Sequence, residues 1–266
     1  MNRRPGRVGT FALGALPLVL ILLLYLVGSD LRLSENPDDK LLPPLSAMGE
    51  SFYNAAFVPH RRTGELQLWH DTAASLTRLG LGLAISALIG LAFGIATGLI
   101  PYARATLAPL IAVLSMIPPL AVLPILFIVF GLGEASKVVL IVIGIAPFIT
   151  RDLALRVAEI PAEQLIKAQT LGANTWQIVL RVALPQMVPR LIDAMRLSLG
   201  AAWLFLIAAE AIAADQGLGY RIFLLRRYLA METILPYVAW ITLLAFLSDY
   251  VLRWLSRRAF PWSHAA

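Results

Sequence analysis

Long uncharged runs separated by short polar stretches dominate this chain, and they predict helices that cross a membrane. Residues 8–29, 79–103 and 105–133 are 22, 25 and 29 residues without a charge, where about 20 apolar residues suffice to span a bilayer core. Three later runs, 138–150, 197–209 and 233–248, are only 13, 13 and 16 residues long. Each must take charged residues into its span: Lys137, Arg151 and Asp152; Arg196 and Glu210; Asp249. Ionisable residues at such depth face protein or a water-filled cavity rather than lipid. The pattern therefore predicts an all-α, polytopic membrane protein with six spans near 9–28, 78–100, 105–130, 135–155, 191–213 and 233–255. Buried helices of a soluble core are the competing reading, and the two long uncharged runs beside one another argue against it.

The runs differ in kind. In the second, Gly90, Gly94 and Gly98 lie four apart and form one ridge of small residues, the pattern that lets helices approach closely in lipid. The third contains Pro109, Pro118, Pro119 and Pro124. Prolines inside a span free backbone carbonyls that need protein or water as partners. A kinked, inward-facing helix is expected, with the break at Ser115, Met116, Ile117, Pro118 and Pro119 lining a cavity. The first run follows Arg3, Arg4 and Arg7 and reads as an uncleaved span rather than a signal peptide, because Val27, Gly28 and Ser29 make a poor cleavage site. Residues 41–57 have apolar residues at helical spacing but are too short and polar to span, and predict an interfacial helix. His60 and His70 are not at metal-ligand spacing, and no metal site is expected.

Composition sharpens the class. The chain is 59% hydrophobic and 14% charged, with a mean hydropathy of +0.78 and no cysteine, so disulfides and thiolate metal sites are excluded. A net charge of +6 is explained by the positive-inside bias of membrane chains, and no nucleic-acid partner is expected. An N-terminus in the cytoplasm places the C-terminus and the polar segment 151–190 there too. Arg221, Arg226 and Arg227 then fall outside, where two readings stand: attraction of an acidic partner surface, or simple solvation.

That polar segment has its own local signals. Pro161 suits a first helical position, and Glu163 follows in the first turn, where a carboxylate favours the helix dipole. Gly172 can end the helix in a left-handed conformation. Asn174 and Gln177 are spaced as a capping-box variant for a second helix, which Pro185 cannot continue regularly. Two short helices meeting at an angle between membrane spans predict a docking elbow.

No catalytic chemistry is visible: the chain has no phosphate loop for ATP, no zinc-protease motif and no intramembrane nucleophile with a base. Glu210 is the most unusual intramembrane acid, either a gate or pathway residue or a helix-end carboxylate paired with an arginine or backbone. Trp203, Ser115, Pro118, Pro119 and Glu210 are the candidate pathway residues.

The elbow also resembles a family signature. Ala168, Leu171, Gly172 and Ala173, followed at fixed distance by Val182, Ala183, Leu184 and Pro185, are similar to the loop of ATP-binding-cassette importer permeases of the binding-protein-dependent type. The sulfonate, taurine and nitrate branch is the one resembled, over about residues 69–261. Further matches are the lead from Trp69 to Arg78, Ile117 to Ala121, Phe130 to Lys137, Ala209 to Ile212, and Gly217 to Gly219. Where the signature opens with Glu-Ala, this chain has Ile166 and Lys167. The resemblance implies a type I importer permease working as a homodimer in the bacterial inner membrane. Its domains would be 1–72, a span plus extracytoplasmic interfacial segment, and 73–260, a core with coupling loop 156–190. It implies a separate ATPase dimer, carrying ATP and magnesium, on Glu163, Lys167, Ala168, Gln169, Leu171, Gly172, Ala173, Leu184 and Pro185. It also implies an extracytoplasmic solute-binding protein, a small polar solute such as taurine, an alkanesulfonate, nitrate or a urea-like compound, and no cofactor on this chain. An ion-coupled secondary transporter is the alternative, although no internal repeat of the kind such folds carry is visible. A non-transporting scaffold would leave the elbow unexplained.

Overall fold

The computed structural model describes residues 6–37, 39–60 and 64–264; the basic residues Arg3, Arg4, Arg61 and Arg62 lie outside them. The chain divides into two compact units, Met1–Leu68 with Ile222–Ala239, and Trp69–Arg221 with Trp240–Ala266. This division falls at 68/69 rather than 72/73, and it groups a late segment with the first unit. Among the described residues every regular element is helical. Five stretches of the described residues are long and apolar enough to cross a membrane: Gly9–Glu35, Gln67–Leu99, Glu134–Ala158, Thr175–Ala213 and Met231–Ala259. A bent pair, Pro101–Leu114 with Pro119–Phe130, forms a sixth.

In the first unit, helix α1 (Arg7–Glu35) exposes Phe11, Leu18 and Leu24 along its length, as a lipid-facing span must. Its C-terminal half is fastened by two hydroxyls: Tyr25 donates to the Pro43 carbonyl at 2.6 Å and Ser29 to that of Leu42 at 2.9 Å. Helix α2 (Leu45–Phe57) is the short helix expected at 41–57, and Ser51 shares a 2.7 Å hydrogen bond with Thr233.

The second unit is built on close helix packing. Helix α3 (Gln67–Leu99) lies against helix α6 (Glu134–Ala158) through the predicted glycine ridge, extended by Gly82. A β-carbon at Gly82 would fall 2.7 Å from Ile141 and one at Gly94 2.7 Å from Leu153, while Gly90 and Gly98 meet Ile149 and Val157. Only glycine permits this approach, because lipid offers helices no hydrophobic incentive to associate and packing must supply it. The register rises together on both helices, so α3 and α6 run parallel.

That parallel register fixes what lies between them. Helices α4 (Pro101–Leu114) and α5 (Pro119–Phe130) are bent by 94° at residues 115–118. At about 1.5 Å per residue, the chain leaves α3 level with the end of α6 and must return to the level of its start. The pair is therefore a broken span, not a re-entrant loop, and the candidate spans among the described residues number six. The single kinked helix expected for 105–130 is corrected to two helices. Pro118 and Pro119 stand together, and the first restricts the residue before it while neither donates an N–H, so the helix stops and restarts.

After the short helix α7 (Ala162–Thr170) comes a second correction. Helix α8 (Thr175–Ile178) does not end before Pro185; it runs through a π-helical turn, Val179–Ala183, into α9 (Leu184–Ala213). The widened turn bonds the Leu184 N–H to the Val179 carbonyl, so the chain enters Pro185 at a helix start, where its missing N–H does no harm. The fifth span thus begins well before residue 191. Helix α10 (Leu218–Arg226) and helix α11 (Met231–Ala259) complete the chain.

Candidate functional site

Three sites within the second unit draw on the predicted residues. The first is the elbow. Pro161 stands just outside α7 as its N-cap rather than at its first position. Glu163, Lys167 and Gln169 are exposed on the helix, with Ala168 half-buried. At its end the Ala173 N–H reaches the Ala168 carbonyl at 3.0 Å, and the Gly172 N–H that of Gln169 at 2.9 Å. This is the paired bonding of a Schellman cap, and it requires a left-handed residue; Gly172 has φ +82. Both expected arms of the capping box follow. Asn174 Oδ1 accepts from the Gln177 N–H at 2.8 Å, and Gln177 Oε1 from the Asn174 N–H at 2.9 Å. Gln186 then ties α9 back to α7, donating to Gln164 at 3.2 Å. Leu184 is half-buried, and Pro185 is exposed.

A turn fixed by this many bonds carries an apolar surface. Ile166, Leu171 and Trp176 are 56%, 88% and 67% exposed, and exposed large apolar side chains in a polar segment mark a candidate interaction surface. Trp176 was not among the residues singled out from the sequence. Its signal was there: a large aromatic in an otherwise polar stretch.

The second site is an ionic cluster at the opposite end of the unit, where α3 and α6 begin and α9 ends. Arg78, at 2% exposure, lies inside α3. Its fork grips Glu134 through Nε and, at 2.8 Å, through NH2, while NH1 reaches Glu210 at 2.6 Å and the Gln216 carbonyl at 2.9 Å. Glu210 is fully buried and also accepts from Ser75 and, at 2.8 Å, from the Gly219 N–H. Lys137 joins Glu134 at 3.1 Å, and Arg221 joins the buried Asp71 at 2.8 Å. Three cations thus face three carboxylates, which is how charge is tolerated at low dielectric. Gly217 and Gly219 complete the fit: a β-carbon would fall 2.6 Å from the Glu210 carboxylate or 2.8 Å from the Ile207 carbonyl.

The cluster supplies partners for both Glu210 and Arg221. Glu210 is the paired carboxylate, with Arg78, Ser75 and the backbone taking its oxygens. Arg221 is bound rather than offered to a partner. Arg226 lies over the Phe223 ring at 5.2 Å.

The third site is a cavity of about 410 Å³ at the α4–α5 break, lined by Ser115 and Pro119 among the expected pathway residues. Pro118 caps α5 beside it. Trp203 and Glu210 do not line it: Trp203 is buried, with its indole N–H unpartnered among the described residues, and Glu210 is held in the cluster. No group of His, Asp or Glu among the described residues could hold a metal ion.

Comparison with known proteins places these features in context. Residues 86–261 match the family model described as the binding-protein-dependent transport system inner membrane component. The taurine transport system permease protein TauC of Escherichia coli is 40% identical over 195 residues, covering 73% of this chain and 71% of that protein. The bicarbonate transport system permease protein CmpB of Synechococcus elongatus is 32% identical, covering 71% and 69%. The putative aliphatic sulfonates transport permease protein SsuC of Bacillus subtilis is 29% identical, covering 75% and 72%. In fold, the chain is similar to one from inward-facing structures of the MetNI methionine ABC transporter, with a TM-score of 0.59 and 23% identity over 72% of this chain and 94% of that one.

Proposed function

This chain belongs to the family of inner membrane components of binding-protein-dependent transport systems, and we propose that it is the permease of an ATP-driven importer for a small anionic or zwitterionic solute. The observation that carries the proposal is the elbow: an exposed apolar surface on a turn made rigid by a Schellman cap and a capping box, continuous through a π-helical turn with the spanning α9. π turns inside helices recur at functional positions. A rigid projection joined directly to a span is what is needed to convert the motion of a partner into helix tilt.

In this reading, a dimer of ATPase subunits docks on Leu171 and Trp176 and holds ATP and magnesium; hydrolysis is its chemistry, not that of this chain. Closure of the ATPase pair pulls the elbow and rocks the helices of two permease copies about a central path. An extracytoplasmic binding protein delivers the solute. The elbow and both termini lie in the cytoplasm, and the ionic cluster at the outer end keeps α3, α6 and α9 moving as one body. The relatives named for taurine, aliphatic sulfonates and bicarbonate support the choice of solute class.

The test is uptake into proteoliposomes holding the permease with its ATPase subunit, supplied with the binding protein. Uptake of taurine, ethanesulfonate or bicarbonate should require ATP and binding protein together and resist ionophores. Uptake that needs no ATPase and collapses with the ion gradient would establish the secondary-transporter alternative instead.

A further inference from the structure

The cavity at the α4–α5 break is lined by a charge, Arg151, that has no counter-ion among the described residues. Arg151, on the face of α6 toward the break, donates from NH1 to Ser115 Oγ at 2.9 Å. Among the described residues it has no carboxylate at ion-pair distance. Several other arginines on these helices are ion-paired: Arg78 with Glu134 and Glu210, Arg156 with Asp152, Arg196 with Asp193 and Asp249, and Arg253 with Asp249. The one carboxylate lining the same cavity is Asp152, and it faces Arg156 at 3.7 Å, which leaves the charge of Arg151 uncompensated. Arg104, nearby on α4, spends its donors on the Thr97 and Gly98 carbonyls that end α3.

Arg151 is exposed rather than packed away, so its guanidinium is open to an anion or water, the partners that a charge within a span calls for. The cavity around it is of the size of a small solute, about 410 Å³, with an apolar wall of Pro147, Phe148 and Phe205. Ser115, at the helix break, holds one side of the guanidinium fork, and the remaining donors meet no acceptor among the described residues. A planar fork of this kind matches the paired oxygens of a sulfonate or carboxylate. We infer that Arg151 is the residue that receives the anionic head of the solute as it crosses the membrane, with Ser115 setting its orientation. The inference rests on the importer reading above and adds the residue and the charge that the path selects.

The test uses the full complex in proteoliposomes, with ethanesulfonate and taurine as probes, and measures solute transported per ATP hydrolysed. A variant that merely folds or assembles less well lowers uptake and hydrolysis together and leaves this ratio unchanged. Loss of a charge-assisted contact should lower the ratio for Arg151→Gln by about tenfold or more, with Arg151→Lys recovering part of it. An unchanged ratio in Arg151→Gln would overturn the inference, including the case in which uptake and hydrolysis fall together, because that outcome assigns Arg151 to folding or assembly. Equal losses in the Lys and Gln variants would also overturn it. Absence of ATP-driven uptake by the unaltered complex would fail the importer reading itself, and the inference with it.

Discussion

Gly172→Pro is expected to lower ATP-driven uptake by the assembled transporter about a hundredfold or more, while the permease still inserts and folds. Proline holds φ near −65, whereas this turn requires the φ of +82 seen at Gly172. Proline also removes the N–H that reaches the Gln169 carbonyl at 2.9 Å. The cap is lost, and the apolar surface of Leu171 and Trp176 is re-aimed. No atom lies within 4 Å of where a β-carbon at Gly172 would sit, so the damage does not enter a core. Gly172→Ala keeps the N–H and carries only the left-handed strain of about 1 kcal/mol, and should retain much of the activity. Uptake assays and thermal unfolding in detergent distinguish the two effects. Wild-type uptake by Gly172→Pro would contradict the elbow's role.

Arg78→Ala should be the most destabilising single change in the ionic cluster. It removes the cation shared by Glu134 and Glu210 and leaves Glu210 fully buried with a charge and no counter-ion. Breaking one side of a buried pair costs about 3–5 kcal/mol. Arg78→Lys keeps the charge but not the fork that holds both carboxylates, and should fall between. The paired change Arg78→Leu with Glu210→Leu should recover much of the loss, since apolar replacement of a whole buried pair is often neutral. Thermal unfolding of detergent-solubilised protein reads all three. A melting temperature for Arg78→Ala equal to that of the unaltered protein would show that the cluster contributes no stability.

The parts of this structure that depend on near neighbours were legible in the sequence. Gly172, Asn174 and Gln177 act within a few residues of themselves, and their turn and capping box could be read from spacing alone. Gly90, Gly94 and Gly98 announced a close helix contact, although not that α6 was the partner or that the two run parallel. Pro118 and Pro119 marked the break, but its 94° bend depends on what the flanking helices pack against. Pro185 misled, because a proline was read as a stop where a π-helical turn carries the helix past it.

The ionic cluster was illegible for a different reason. Asp71, Arg78, Glu134, Lys137, Glu210 and Arg221 are scattered over 150 positions, and nothing local says they meet. Arg78 was therefore visible only as the last residue of the lead from Trp69 into the second span. Arg151 shows the converse: its depth was visible, and its lack of a counter-ion was not.

The central claim is that the elbow formed by α7, Gly172 and α8 is where an ATPase grips this permease. The chain has no cysteine, so Leu171→Cys, at a position 88% exposed, places a unique thiol at the tip of the elbow. The most direct measurement is cross-linking from that thiol to a cysteine-labelled ATPase subunit in the purified complex. The account predicts a specific cross-link whose yield changes when ATP is trapped on the ATPase, with none from a control thiol at the opposite end of the unit, such as Gln216→Cys. An ATPase that copurifies yet never cross-links from position 171 would contradict it.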